Sequence, residues 1–258
     1  MTFTTGANSA FWQLAAKPYR FSGAVAEHAG EDYAIAVEDD PWANNPGEQR
    51  MVAWGNPELV IPELLRLFDK FGPFARIMVS TDIANALTDE QRSYLAPYWG
   101  AQWDFFWTST PLKPVPLANE VELYERGTDQ YAATIADIAQ ALRAGNPVAT
   151  PLSHLEEFDW FVLRENDSIM TVMGVEFIGN VAHFAGLGTV PDARGRGLGS
   201  ATMVGAIDLA LERVDHVEFG VWSWNTRAID LYHRLGINHG GQIINGRHEP
   251  FEDLESQA

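Results

Sequence analysis

Apolar positions recur along this chain in two rhythms, period two and period three to four, and their alternation predicts an α/β protein in two parts. The first part begins irregularly, with a short amphipathic patch around 11–16. Residues 32–37 then read as a strand, 39–49 as a polar turn rich in Pro, Asn and Gly, and 51–54 as a second strand. Asn56 and Pro57 supply an N-cap and a first helical residue. Leu59, Ile61, Leu64, Leu65 and Phe68 form the apolar stripe of a helix that runs to about Lys70, and Gly72-Pro73 closes it. A strand follows at 75–80. Thr88 with Gln91 three residues later forms a capping box, and 103–108 returns to strand.

The proline-dense stretch 111–117 predicts an extended linker, dividing the chain into 1–110 and 118–258. Beyond it, 120–124 reads as a strand and 128–144 as a helix ended by Gly145. Residues 160–164 and 168–177 form a hairpin across Glu165-Asn166-Asp167, and 181–190 a longer strand. A helix over 197–213, a strand over 217–222, a helix over 226–235 and a last strand from 240 complete the order β-α-β-β-β-α-β-α-β.

The strand ending at Val190 meets Pro191 and then a glycine-rich turn holding Arg194 and Arg196, which feeds the next helix. Amides at a helix start lack partners, and glycine lets a ligand approach them closely, so such a loop suits phosphate. No Lys follows Gly199, which excludes a Walker loop. Gly195-x-Gly197-x-x-Ser200 falls one residue short of a dinucleotide fingerprint. Residues 191–194 also lengthen that turn, and Trp222 ends the next strand where an acidic ribose ligand is needed.

Composition narrows the partners. The chain has 258 residues, no cysteine and a formal charge of −18. Thiolate chemistry and disulfides are therefore excluded. An acidic surface repels nucleic acid and anionic membranes, and the expected surroundings are cytoplasmic, with no signal peptide and no membrane span. The histidines are scattered without metal-ligand spacing, so no metal is expected. Monomer and homodimer remain equally open.

Arg194, Gly197 and Gly199 fit Arg/Gln-x-x-Gly-x-Gly/Ala, and Asn225, Ala228, Leu231, Tyr232 and Gly236 fit Asn-x-x-Ala-x-x-Leu-Tyr-x-x-x-Gly. With both motifs, residues 118–250 resemble the GNAT superfamily of acyl-CoA-dependent N-acyltransferases. The resemblance implies a mainly antiparallel, twisted sheet flanked by helices. It also implies acetyl-CoA as co-substrate and direct attack by an amine in a ternary complex. Arg194, Gly195, Arg196, Gly197, Leu198, Gly199 and Ser200 would hold the pyrophosphate. Leu187, Gly188 and Thr189 would bind the pantetheine arm, and Asn225 would cap the next helix and touch the coenzyme.

Tyr232 is the implied general acid, although Ala228, Leu231, Tyr232 and Leu235 also have the spacing of a buried helix face. His183 stands where family members place a Glu base. Histidine in an apolar strand is equally a hydrogen-bonded structural residue, and Glu176 on the neighbouring strand competes for the role. Val190 before Pro191 and Ile237 after Gly236 depart from the family pattern without removing an amide donor. The element order of 1–110 repeats the second half of this pattern, which suggests either a smaller, degenerate GNAT-like copy without a phosphate loop or an unrelated α+β extension. Two other readings stay open: a coenzyme-binding regulatory module without chemistry, and an NAD(P)-binding oxidoreductase.

Overall fold

The computed structural model describes residues 4–16, 24–40, 43, 45 and 47–251. They fall into two compact units. The first runs to Phe105 and takes back Val221–Asn225 and the stretch from His239; the second comprises Phe106–Gly220 and Thr226–Asn238. The fold is mixed α/β with mainly antiparallel strands. Among the described residues no helix is long and apolar enough to cross a membrane.

In the first unit a π-helical turn, Phe11–Ala16, precedes β1 (Ala24–Ala29), β2 (Tyr33–Asp39) and β3 (Gln49–Gly55). These three pair antiparallel in sequence order. Helix α1 (Pro57–Phe71) starts where Asn56 accepts the Glu58 amide at 3.0 Å. It crosses to β4 (Arg76–Ser80), which pairs parallel with β3. Ser80 caps a short α2 (Thr81–Ala86), and Thr88 and Gln91 form the expected capping box of α3 (Asp89–Leu95). Strand β5 (Tyr98–Thr108) follows. Ile35, Val37, Met51, Ala53, Val60 and Leu64 build the core between this sheet and α1.

The second unit contains β6 (Glu122–Tyr124), α4 (Asp129–Gly145), β7 (Asp159–Glu165), β8 (Ser168–Ile178) and β9 (Val181–Thr189). The β7–β8 turn places Asn166 and Asp167 at φ 47° and 65°, the left-handed pair that a two-residue hairpin requires. After β9 come α5 (Leu198–Leu211), β10 (His216–Trp222) and α6 (Thr226–Leu235). Strands β6 to β9 are antiparallel neighbours, and β10 lies parallel to β9. Gly205 lets α5 pass a backbone turn closely: a Cβ there would stand 2.2 Å from the Ala118 carbonyl oxygen.

The last strand, β11 (Asn238–Arg247), pairs antiparallel with β4 and stands between β4 and β5. Buried Asp104 ties it there, accepting from His239 Nε2 at 2.7 Å, Gln242 Nε2 at 3.3 Å and the Ser223 hydroxyl at 2.5 Å. This segment, expected within 118–258, therefore belongs to the first unit, and the proline-rich stretch 111–117 falls inside the second. The two units share an order of elements: antiparallel strands, a helical crossover to a parallel neighbour, then helix.

Candidate active site

The loop after β9 turns through Pro191–Ala193 and reaches α5 with Gly195 at φ 78° and Gly197 at φ 83°, conformations that favour glycine. The Arg194 amide donates to the Pro191 carbonyl, and the Ala201 amide to that of Gly197. Between them the amides of Gly195, Arg196, Gly197, Leu198, Gly199 and Ser200 have no backbone acceptor among the described residues. A Cβ on Gly195 or Gly197 would meet nothing within 4 Å, so the space before these amides is open. Such a concave row of N–H groups at a helix start binds anions.

The two arginines have other partners. Arg194 donates to the carbonyls of Thr189 (3.3 Å) and Gly145 (3.0 Å), fastening the loop to the ends of β9 and α4. Arg196 forms a forked pair with Glu165, 2.7 Å to each oxygen. Backbone amides thus line the open space of this loop, while Arg194 fastens the loop to its neighbours.

Strand β9 bends just before the loop. Val172 pairs with Gly188 and Gly174 with Ala185, so Met173 opposes both Gly186 and Leu187 in a β-bulge, with Gly186 at φ 72°. The Leu187 carbonyl accepts Asn146 Nδ2 at 3.1 Å, and Thr189 Oγ1 lies 3.4 Å from Thr171 Oγ1. On its other side β9 pairs with β10 from Val181↔His216 to Phe184↔Phe219, where the ladder stops. This leaves the backbone from Ala185 to Thr189 leading from the end of the paired stretch to the amide row.

The two chemical candidates flank that point. His183 pairs with Glu176 of β8 and with Glu218 of β10, so all three side chains share one face. His183 Nδ1 lies 2.6 Å from Glu218 Oε1, and the Glu218 side chain is 2% exposed against 24% for His183. Burial opposes the imidazolium, but the charge of Glu218, its hydrogen bond and the charge of Glu176 outweigh burial and hold the His183 pKa above its ordinary value. Burial also pushes the Glu176 carboxyl up. Tyr232 lies on the opposite face. It packs edge-on against Phe219 (centroids 4.7 Å apart), the neighbour of Glu218 in β10, and against Phe106 at 5.2 Å. Burial raises its hydroxyl pKa, and that hydroxyl makes no hydrogen bond among the described residues.

Asn225 immediately precedes α6, in a turn that its amide closes onto the Trp222 carbonyl at 2.9 Å. Leu198 is buried as the anchor of α5, and Gly199 and Ser200 are half-buried in its first turn. Glu218, Glu165 and Asn146 were not singled out from the sequence. Glu218 alone carried a signal, a carboxylate within the apolar strand Val217-Glu218-Phe219. Among the described residues no three acidic or histidine side chains converge as metal ligands.

Residues 122–237 match the model of the Acetyltransferase (GNAT) family. The chain carries a GNAT acetyltransferase domain over that stretch. Its fold is similar to that of a GCN5-related N-acetyltransferase from Sphaerobacter thermophilus, with TM-score 0.53 and 12% identity over 87% of this chain and 79% of that one. An acetyltransferase of the GNAT family from Colwellia psychrerythraea matches with TM-score 0.53 and 13% identity over 85% and 82%. A conserved protein of unknown function from Staphylococcus epidermidis matches with TM-score 0.52 and 12% identity over 90% and 96%. Each of these likenesses extends well beyond residues 122–237. No curated protein sequence matches the chain.

Proposed function

We propose that the chain is an N-acetyltransferase that moves the acetyl group of acetyl-CoA to a primary amine of a small molecule or peptide, in a ternary complex. The carrying observation is that a base candidate and an acid candidate lie on opposite faces of the sheet where the β9–β10 ladder ends, with the row of free amides one short strand away. The coenzyme supplies an activated thioester. The amides of 195–200 hold its pyrophosphate, and the β9 backbone at 187–189 guides the pantetheine arm toward Phe184. His183 takes a proton from the incoming ammonium, directly or through water. The amine nitrogen then bonds to the acetyl carbon, the carbon–sulfur bond breaks, Tyr232 gives its proton to the departing thiolate, and the second surplus proton of the new amide nitrogen returns to the tyrosinate through water. Burial keeps the Tyr232 hydroxyl protonated until that moment.

The first unit reads best as a degenerate copy of the same architecture. One pair before the end of its parallel ladder, where the second unit has His183 and Glu218, it has Val52 and Met78, and a row of Glu38, Arg50 and Arg76 stands at the ladder's start. Arg50 donates to buried Glu38 at 2.8 Å, and arginine cannot serve as a base. Trp54-Gly55-Asn56 replaces the arginine loop.

The test is release of coenzyme A from acetyl-CoA against a panel of alkylamines, peptides and aminoglycosides. The cysteine-free chain adds no thiol background. Acyl transfer is expected with at least one amine, and Tyr232→Phe should lower kcat by roughly 100-fold or more with little change in coenzyme affinity. Tight coenzyme binding without release on any amine would favour the regulatory module instead.

A further inference from the structure

We infer that Glu218 is a positioning residue for His183: it grips the imidazole by Nδ1 and so makes Nε2 the nitrogen that receives the acceptor's proton. This rests on the acyl-transfer reading above and adds a residue to it. A carboxylate only accepts, so a 2.6 Å contact to Nδ1 fixes the proton of the neutral ring on that atom. The basic lone pair is then on Nε2. Sheet register enforces the grip, since His183 and Glu218 are parallel neighbours one residue before the ladder ends. Glu218 is nearly fully enclosed, so water competes little for its oxygens, whereas His183 keeps about a quarter of its side-chain surface. That asymmetry is what an orienting group and a working base require.

The charges facing the ring come from both neighbouring strands. Glu218 lies on β10, and Glu176 on β8, where Glu157, Arg126 and His154 modulate Glu176 in turn. Glu218 is the member in contact with the ring, and its charge and hydrogen bond contribute to the raised imidazole pKa. Losing that carboxylate should therefore change the ring's preferred protonation as well as its orientation.

The experiment compares the wild type with Glu218→Gln and Glu218→Asp in two readouts. The first is an NMR titration of the His183 ring, its signal identified by loss in His183→Gln. The wild-type ring is expected as the Nδ1–H tautomer with a pKa above 6.5, and Glu218→Gln should lower that pKa. The second is the pH profile of kcat. Its acidic limb should move to lower pH in Glu218→Gln, with kcat at least tenfold lower and the KM for acetyl-CoA unchanged, and Glu218→Asp should recover part of the loss. A wild-type ring protonated on Nε2 overturns the grip, whatever the activity. A titrating pair with an unmoved pH profile leaves a structural contact only and overturns the positioning role. A correctly titrating pair in a wild type that acetylates no amine marks failure of the acyl-transfer reading, and the positioning role falls with it. Should Glu218→Gln not fold, the same shifts are read at reduced size in Glu218→Asp.

Discussion

Gly197→Ala separates the stability of the phosphate loop from its function. In the free protein the added Cβ meets nothing within 4 Å, so the substitution causes no clash. Its cost is the left-handed backbone at φ 83°, about 1–2 kcal/mol for a residue with a side chain. The reduced freedom of the unfolded chain offsets roughly 0.4–1 kcal/mol of this. A net loss near 1 kcal/mol lowers the melting temperature of a chain this size by about 2–4 °C. Binding should suffer more, because the methyl group occupies the open space in front of the amides. Losing even one hydrogen bond to a charged phosphate removes about 1.5–3 kcal/mol. That weakens coenzyme A binding roughly tenfold to a hundredfold. Isothermal titration with coenzyme A and a thermal melt on the same preparation measure both quantities. Unchanged affinity beside the expected small melting shift would refute the amide cradle. A fall of more than about 10 °C would refute the open space in front of it.

Three further outcomes follow from the packing. Gly205→Ala gains about 1 kcal/mol of helix propensity, yet its Cβ would stand 2.2 Å from a backbone carbonyl; overpacking of about 1–3 kcal/mol should dominate, and the urea midpoint should fall. Arg50→Met removes the cation that bonds buried Glu38, which should cost about 3–5 kcal/mol and show as a melting drop on the order of 10 °C. The raised pKa of His183 makes its pairing a source of stability that is fully present below about pH 6.5 and is lost as pH rises through the raised value. Urea midpoints across that window should decline in the wild type and decline less in Glu218→Gln.

Elements written in local chemistry were legible from the chain. Helix α6 begins and ends at Thr226 and Leu235 as its periodicity predicts, and Thr88 with Gln91 starts α3 as a capping box. Strand β1 gave no signal because only two of its six positions are even half-buried, so nothing enforces an apolar alternation. Helix α2 is six residues long, too short for a stripe to repeat. The loop was readable because its glycines serve a local backbone need. Its arginines were expected on phosphate, but Glu165 lies 31 residues before Arg196 and Gly145 lies 49 before Arg194. Glu218 lies 35 residues after His183, and only the register of β9 and β10 brings them together. Partners that distant follow from strand pairing, which spacing along one chain does not reveal.

The position of β11 has a consequence for biosynthesis. The strand that fills the place between β4 and β5 is translated long after both of them. Until it emerges from the ribosome, β4 exposes a bare hydrogen-bonding edge, and Asp104 lacks His239 and Gln242. The N-terminal half therefore cannot be completed as an independent unit during synthesis. A cut at the proline-rich stretch would take from the first unit a strand it needs and leave that strand on the second fragment. Co-expressed halves divided near residue 111 should regain native structure only by associating, with β11 crossing from one fragment to the other.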